Sequence, residues 1–526
     1  MKKQKTPPTG VAFVAVISAA ILSTSSLRAE LRLPSIFGDH MVLQRDIELR
    51  VRGWDVPGQD VSVSIAGQSA TGRAGSDGKW TVQLAPLALT PHALRMTLQG
   101  STRKVLTNVQ VGEVWICSGQ SNMAWPVDRA NDPALEKAAA DFPDIRLISV
   151  PQVGTQEAQD DFNGFWEPCT PESVGGFSAV GYFFGRQLHQ TLGVPIGLID
   201  NAWGGSAAEA WIRRDVLEKD SRFNRLMASW KEQEAPGYYD RLLAEYAVAH
   251  EAWKGEAERL QKEGKEPPRS PRRPRNRMTG NSRPANIYNG VLHPTIGFGI
   301  RGAIWYQGES NASRAYEYRD LFPLMIQHWR DEWNQGDFPF YWVQLADFRA
   351  ETATPGDSDW AELREAQTLT LDKLPHTGQA VIIDLGEAHD IHPRDKQNVA
   401  KRLARWALAK NYGVQLVFQS PRYKAMKVAG AKAVVEFQNV GGGMDTFDVR
   451  EPKGFAICGT DRQWHWAIAK ITGAETIEVW SDTVAAPVAV RYAWTDNPVA
   501  NLQNKEGLPL TPFRTDDFPM ITKPEG

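Results

Sequence analysis

A hydroxyl, an imidazole and a set of amides stand in this chain where strands are expected to end, and together they could move an acyl group. Ser121 lies in the stretch Gly112-Glu-Val-Trp-Ile-Cys-Ser-Gly-Gln-Ser-Asn-Met123, whose apolar run 114–117 reads as a short buried strand. The run breaks into small and polar residues, which sets Ser121 just past the carboxyl end of a strand, where α/β sheets hold ligands. Gly119 frees the backbone to turn there. A helix or turn starting after Ser121 would offer unpaired N–H groups to an oxyanion. Alone, such a turn reads as a polar strand end; residues further along the chain give it weight. His392 closes Asp384-Leu-Gly-Glu-Ala-His-Asp-Ile-His-Pro393, past the last expected parallel strand. Imidazole titrates near neutrality and can take the serine proton and return it to a leaving group. A nearby carboxylate would fix its tautomer; Asp390 is the first candidate, with Glu387 and Asp384 behind it. A metal site built on His389, Asp390 and His392 is the weaker alternative, because no further spaced His or Cys cluster and no helical His-Glu-x-x-His pattern accompany them.

Other strand ends add donors. Asn201-Ala-Trp-Gly-Gly-Ser206 follows the run ending at Asp200, and Gly204 or Gly205 can bring a bare N–H to a ligand. Trp305-Tyr-Gln-Gly-Glu-Ser-Asn311 carries amides at Gln307 and Asn311 and a carboxylate at Glu309. A side-chain amide aimed at a developing oxyanion is worth roughly 3–4 kcal/mol. The plain reading of these segments is loops tied down by polar side chains. Gln120, Asn122, Trp203, Glu309 and Asn311 are the candidates to line the substrate pocket. The Asn-rich loop Arg283-Pro-Ala-Asn-Ile-Tyr-Asn-Gly290 carries no separate expectation. Gly-Gln-Ser121-Asn-Met lacks the second glycine of the Gly-x-Ser-x-Gly elbow, and no phosphate-binding glycine loop occurs.

Strands and helices must bring these residues together. Apolar runs at 114–117, 196–200, 302–306, 340–346 and 381–384 alternate with helical patterns at 180–192, 318–333 and 362–374, and a helix is expected over 398–410. That alternation predicts a parallel sheet covered on both faces. Before it, residues 30–108 alternate with period two between turn signals and read as an N-terminal β-sandwich; after it, 413–526 reads as a C-terminal β module. The catalytic domain spans 109–412, interrupted over 218–283 by a charged helix pattern and the basic, Pro-rich run Glu266-Pro-Pro-Arg-Ser-Pro-Arg-Arg-Pro-Arg275.

Composition narrows the class. The chain has 526 residues, 42% hydrophobic and 23% charged, which suits several globular domains. A net charge of -3 argues against nucleic acid as partner. Most of the 19 Trp residues belong to cores, but Trp125 and Trp203, near Ser121, could stack on sugar C–H faces. Residues 1–29 have the basic start, apolar centre and small-residue exit of a signal peptide, predicting a secreted or periplasmic protein without stable membrane insertion after cleavage. Cys117, Cys169 and Cys458 are too few for a disulfide scaffold, leaving room for one bridge.

Gly119-Gln-Ser-Asn-Met123, Trp305-Tyr-Gln-Gly-Glu-Ser-Asn311 and Asp390-Ile-His-Pro393, in that order, resemble the sialate O-acetylesterase family, a branch of the SGNH (GDSL-like) hydrolases. Matches extend from the N-terminal β region through 501–513. The resemblance implies a flavodoxin-like three-layer α/β/α domain with a parallel sheet, no cofactor, and serine-dependent removal of O-acetyl groups from a sugar or glycan. It puts the nucleophile at Ser121, the base at His392, and oxyanion donors at the Ser121 N–H, a glycine of the pair Gly204-Gly205 and the Gln307 amide, where other branches have asparagine. Many SGNH enzymes place the acid three residues before the histidine; that position is His389 here, so Asp390 is the substitute and a Ser–His dyad stays open. Sialic acid and acetylated plant polysaccharide such as xylan are the substrate alternatives, and a non-catalytic carbohydrate-binding protein is the competing class.

Overall fold

The computed structural model describes Met1 and residues 30–524; the signal-peptide expectation over 1–29 falls, but for Met1, outside the described residues. The centre is a mixed sheet whose main path runs, by strand, Thr377–Ala380, Phe340–Val343, Gly302–Tyr306, Arg103–Gly119, Ile196–Asp200, Phe142–Ser149 and Glu167–Cys169. All neighbours along that path are parallel except the last pair. Side chains of the central strand alternate between two cores, as a period of two demands. Val114 and Ile116 enter one with Ala303, Trp305 and residues of helices Ala315–Trp333 and Asp359–Lys373. Trp115 and Cys117 enter the other with Ile304, Tyr306 and residues of helices Ala179–Leu192 and Lys396–Tyr412. Each fully buried large apolar side chain contributes about 1.5–3 kcal/mol, so strands apolar on both faces are held by both layers.

Local chemistry sets the helix limits. Ser178 and Ser358 accept from Gly181 and Ala361 N–H at 3.0 Å each, caps worth about 1 kcal/mol apiece. Gly193 and Gly413 end their helices in the left-handed conformation that glycine adopts without strain.

Three expectations change. The strand before Ser121 is not four residues but seventeen, Arg103–Gly119. Its first part pairs antiparallel with Leu94–Gln99 of the N-terminal module, so the division placed at 108 falls inside one continuous strand. The run 381–384 is no strand: the edge strand is Thr377–Ala380, and Val381 and Ile383 pack into the core of the C-terminal module. The three cysteines are buried and free, with no bridge among them.

The C-terminal module carries two four-stranded antiparallel sheets. In the interruption, helices Asn224–Gln233 and Tyr238–Lys262 precede the Pro-rich run, which is mostly exposed. Among the described residues no helix is long and apolar enough to cross a membrane.

Candidate active site

Ser121 begins a four-residue helix, Ser121–Ala124, directly off the central strand. The turn needs Gly119: its φ is +134°, and a Cβ there would stand 2.2 Å from the Tyr306 carbonyl oxygen on the neighbouring strand. Gln120 then locks the corner, donating its N–H to Tyr306 O at 2.9 Å and accepting from the Gly308 and Ser310 N–H groups at 3.3 Å each. Ser121 is left half-buried with its hydroxyl 2.9 Å from His392 Nε2.

Two contacts hold the imidazole. Trp125 stacks on it at 4.6 Å between centroids, 12° from parallel. Asp390 Oδ1 accepts the His392 backbone N–H at 2.9 Å and lies 3.2 Å from Nδ1. Partial burial lowers the His392 pKa, the Asp390 charge opposes that, and Lys396 and Arg129 reinforce it. A neutral ring with its proton on Nδ1 satisfies both sides: Nδ1–H donates to Asp390 and Nε2 accepts from Ser121. The other acids are engaged elsewhere. Asp384 pairs with both terminal nitrogens of Arg402, at 2.6 and 2.7 Å, and Glu387 accepts from Arg394 N and Nε. With both His392 nitrogens facing Ser121 and Asp390, none remains for a metal ion.

Gly204 closes against Ser121: a Cβ added to it would meet Ser121 Cβ at 3.4 Å. Its loop is tied to the sheet by Trp203 N–H donating to Gly119 O at 3.0 Å. Asn281, from the tail of the interruption, donates to Gly204 O at 2.6 Å and so fixes the peptide joining Gly204 to Gly205, whose φ is +69°. No acceptor for the Ser121 or Gly204 N–H is found among the described residues.

Gln307 departs from expectation. Its Nε2 donates to Ser206 O at 3.1 Å and Asn311 Oδ1 at 2.6 Å, while its Oε1 accepts from the Tyr318 hydroxyl at 2.9 Å. Both amide hydrogens are committed inside the fold, so Gln307 braces two loops and offers nothing to an oxyanion. The same correction applies to most expected pocket residues. Gln120 is the corner brace. Asn311 is buried, accepting from Ala208 N–H and donating to Glu209. Asn122 donates to Glu309 Oε1 at 2.7 Å and Ile391 O at 3.0 Å, and accepts from Lys396 Nζ at 2.6 Å. The Glu309 carboxyl is desolvated, which raises its pKa, and its Oε2 lacks a partner. Trp203 alone among the five keeps a part-exposed face without side-chain commitments. Trp125, a candidate for sugar stacking, gives one face to His392. Sequence reasoning misses Lys396 and Asn281 because each sits in a polar, charged or Pro-rich stretch that reads as solvated surface.

This constellation sits in a chain with clear relatives. The sequence model described as "Carbohydrate esterase, sialic acid-specific acetylesterase" matches residues 111–243 and 286–409, passing over most of the interruption. The sialate O-acetylesterase of Mus musculus is 30% identical, covering 92% of this chain and 94% of its own, and that of Homo sapiens is 29% identical, covering 92% of each. A carbohydrate acetylesterase from Xanthomonas citri has a similar structure, with a TM-score of 0.78 and 38% identity over 93% of this chain and 100% of that one. The chain therefore belongs to the sialic acid-specific acetylesterase family of carbohydrate esterases, and is a carboxylic ester hydrolase.

Proposed function

We propose that the chain removes O-acetyl groups from glycans through an acetyl-serine intermediate, with Ser121 as nucleophile, His392 as base and Asp390 as the carboxylate that orients it. The observation that carries this reading is the 2.9 Å contact of Ser121 Oγ with His392 Nε2, beside the glycine that packs on Ser121. His392 Nε2 takes the Ser121 proton as Oγ bonds to the acetyl carbonyl carbon. The carbonyl oxygen becomes an oxyanion, which the N–H groups of Ser121 and of Gly204 or Gly205 stabilise at the start of the short helix. Collapse breaks the bond to the sugar oxygen, which leaves with the His392 proton. Water then gives its proton to His392, adds to the acetyl carbon, and acetate departs as Ser121 regains its hydrogen. A flavodoxin-like SGNH domain over 109–412 between two β modules, and secretion or periplasmic export through residues 1–29, belong to the same reading.

O-acetylated sialic acid is the first substrate candidate, given what the relatives are named for, and acetylated xylan the second. The test is acetate release by wild type and Ser121→Ala from O-acetylated sialic acid and from acetylated xylan oligosaccharides. Release by wild type that falls at least about a thousandfold in Ser121→Ala supports the mechanism, and the faster substrate identifies the glycan class. Undiminished release by Ser121→Ala refutes it. Binding of either glycan without release favours a non-catalytic carbohydrate-binding protein.

A further inference from the structure

Lys396 is fully buried and is the first residue of the helix Lys396–Tyr412. Both facts oppose a cation: burial removes water from the ammonium, and a helix N-terminus carries the positive end of the dipole. The hydrogen-bond partner of Nζ is an amide oxygen, Asn122 Oδ1 at 2.6 Å, and the ammonium lies 5.2 Å from the Tyr306 ring centroid and 5.9 Å from that of Trp125. Asn122 follows the nucleophile, and its Nδ2 donates one hydrogen to Glu309 and the other to the carbonyl of Ile391, the residue before His392. An amide can sit either way round. Here a donor on Oδ1 and two acceptors on Nδ2 select one orientation, and the ammonium is what selects it on the Oδ1 side.

We propose that Lys396 is a positioning residue for the acyl transfer: through Asn122 it fixes the Ile391 carbonyl, and so the His392 imidazole, against the Ser121 hydroxyl. The inference rests on the esterase reading, but one of its readouts needs no turnover. The charge has a second effect. Burial pulls Lys396 down to about 7, against Glu309, Asp390, Glu387 and Asp395, which favour its charged form. The charged groups facing His392 are Asp390, which favours the imidazolium, and Lys396 and Arg129, which oppose it. The ammonium thus lowers the affinity of His392 for a proton and helps keep the ring neutral, able to accept from Ser121, as the solution becomes mildly acidic.

The experiment compares wild type, Lys396→Met and Lys396→Arg as full chains. Hydrolysis of 4-nitrophenyl acetate is followed against pH, and the His392 ring proton is titrated by NMR. In Lys396→Met, kcat is expected to fall roughly 10- to 100-fold with KM within about twofold, as loss of orientation without loss of binding requires. The acidic limb of kcat/KM and the His392 titration should both rise by about half a pH unit. Lys396→Arg should restore the limb and part of kcat. An unchanged kcat and titration, or a loss confined to KM, overturns the proposal. If wild type shows no Ser121-dependent hydrolysis, the esterase reading fails on its own; the NMR titration still decides the coupling, and an unmoved His392 sinks it. Should a thermal melt show Lys396→Met unfolded, Asn122→Leu keeps the ammonium and cuts the link to Ile391. It should lose kcat with little movement of the limb, and full activity in that variant overturns the proposal.

Discussion

Asp390→Ala is the sharpest test of how the histidine is served, because the acid is exposed. The His392 Nδ1 to Asp390 Oδ1 distance is 3.2 Å, and the Asp390 side chain is 52% exposed. When His392 takes the serine proton, the resulting charge pair at this distance is worth about 1 kcal/mol at the dielectric of water and about 5 kcal/mol at an effective value of 20. Half exposure places the pair toward the wet end, so we expect about 1–3 kcal/mol, or roughly 5- to 150-fold in kcat. Stacking on Trp125 and the grip on Ile391 O keep the ring in place after the carboxylate is gone. The loss should therefore be far below the roughly ten-thousandfold caused by neutralising a buried triad aspartate. Since Asp390 favours the imidazolium, its removal should also shift the acidic limb of kcat/KM to lower pH. Steady-state hydrolysis of 4-nitrophenyl acetate over pH, with Ser121→Ala as the floor, measures both. A loss of a thousandfold or more would mean that the acid works desolvated, refuting the exposure argument. A loss below about twofold would leave a Ser–His dyad.

Gln307→Leu should damage the fold more than the chemistry. It strips partners from Ser206 O, Asn311 and the Tyr318 hydroxyl, so about 2–4 kcal/mol of unfolding free energy should be lost in denaturant titrations, with kcat falling less than about tenfold. A kcat loss of a hundredfold or more in a stable variant would restore Gln307 as an oxyanion donor. Asp200→Asn should stabilise the chain at neutral pH, because desolvation at its part-buried site raises the Asp200 pKa from 3.8 to about 7. A raised folded-state pKa gives stability that is full below the unfolded value and is lost as pH climbs through the folded one. The substitution should therefore gain up to about 4 kcal/mol at pH 8 and little at pH 4, and an equal effect at both would refute the assignment.

Several buried strands are readable from sequence because they rest on an apolar pattern. Runs apolar on both faces at 196–200 and 302–306 are buried parallel strands with those limits. The departures have particular causes. The edge strand reads Thr-Gly-Gln-Ala and carries almost no apolar signal, while the stronger run after it belongs to a different core, which no local pattern announces. The start of Arg103–Gly119 mixes polar residues with Val105 and Leu106 and is only part-buried, which hides that one strand serves two modules. Ser121 and His392 stand out in the sequence by residue type, and the structure brings Oγ and Nε2 within 2.9 Å of each other. The role of Gln307 is not, because a one-letter code does not say where an amide's two hydrogens point.

That difference sorts the polar residues at the sheet edge into two sets. Gln120, Asn122, Gln307 and Asn311 are all within 3% of complete burial, and each is hydrogen-bonded to loops other than its own. An unpaired amide at such a site would cost about 1–3 kcal/mol, so these contacts fix the spacing between strand ends and resist movement. They leave free the groups to which the proposed mechanism assigns the chemistry: one hydroxyl, one imidazole, and backbone N–H groups beside Gly119, Gly204 and the start of a short helix. These braces are closed to solvent. The part-exposed rim is different: Trp203 keeps a part-exposed face there, and Asn281 joins the Gly204 loop to the segment inserted after 218. The family match passes over residues 244–285, so that rim contains sequence the match does not cover, including Asn281, directly against a loop that packs on Ser121.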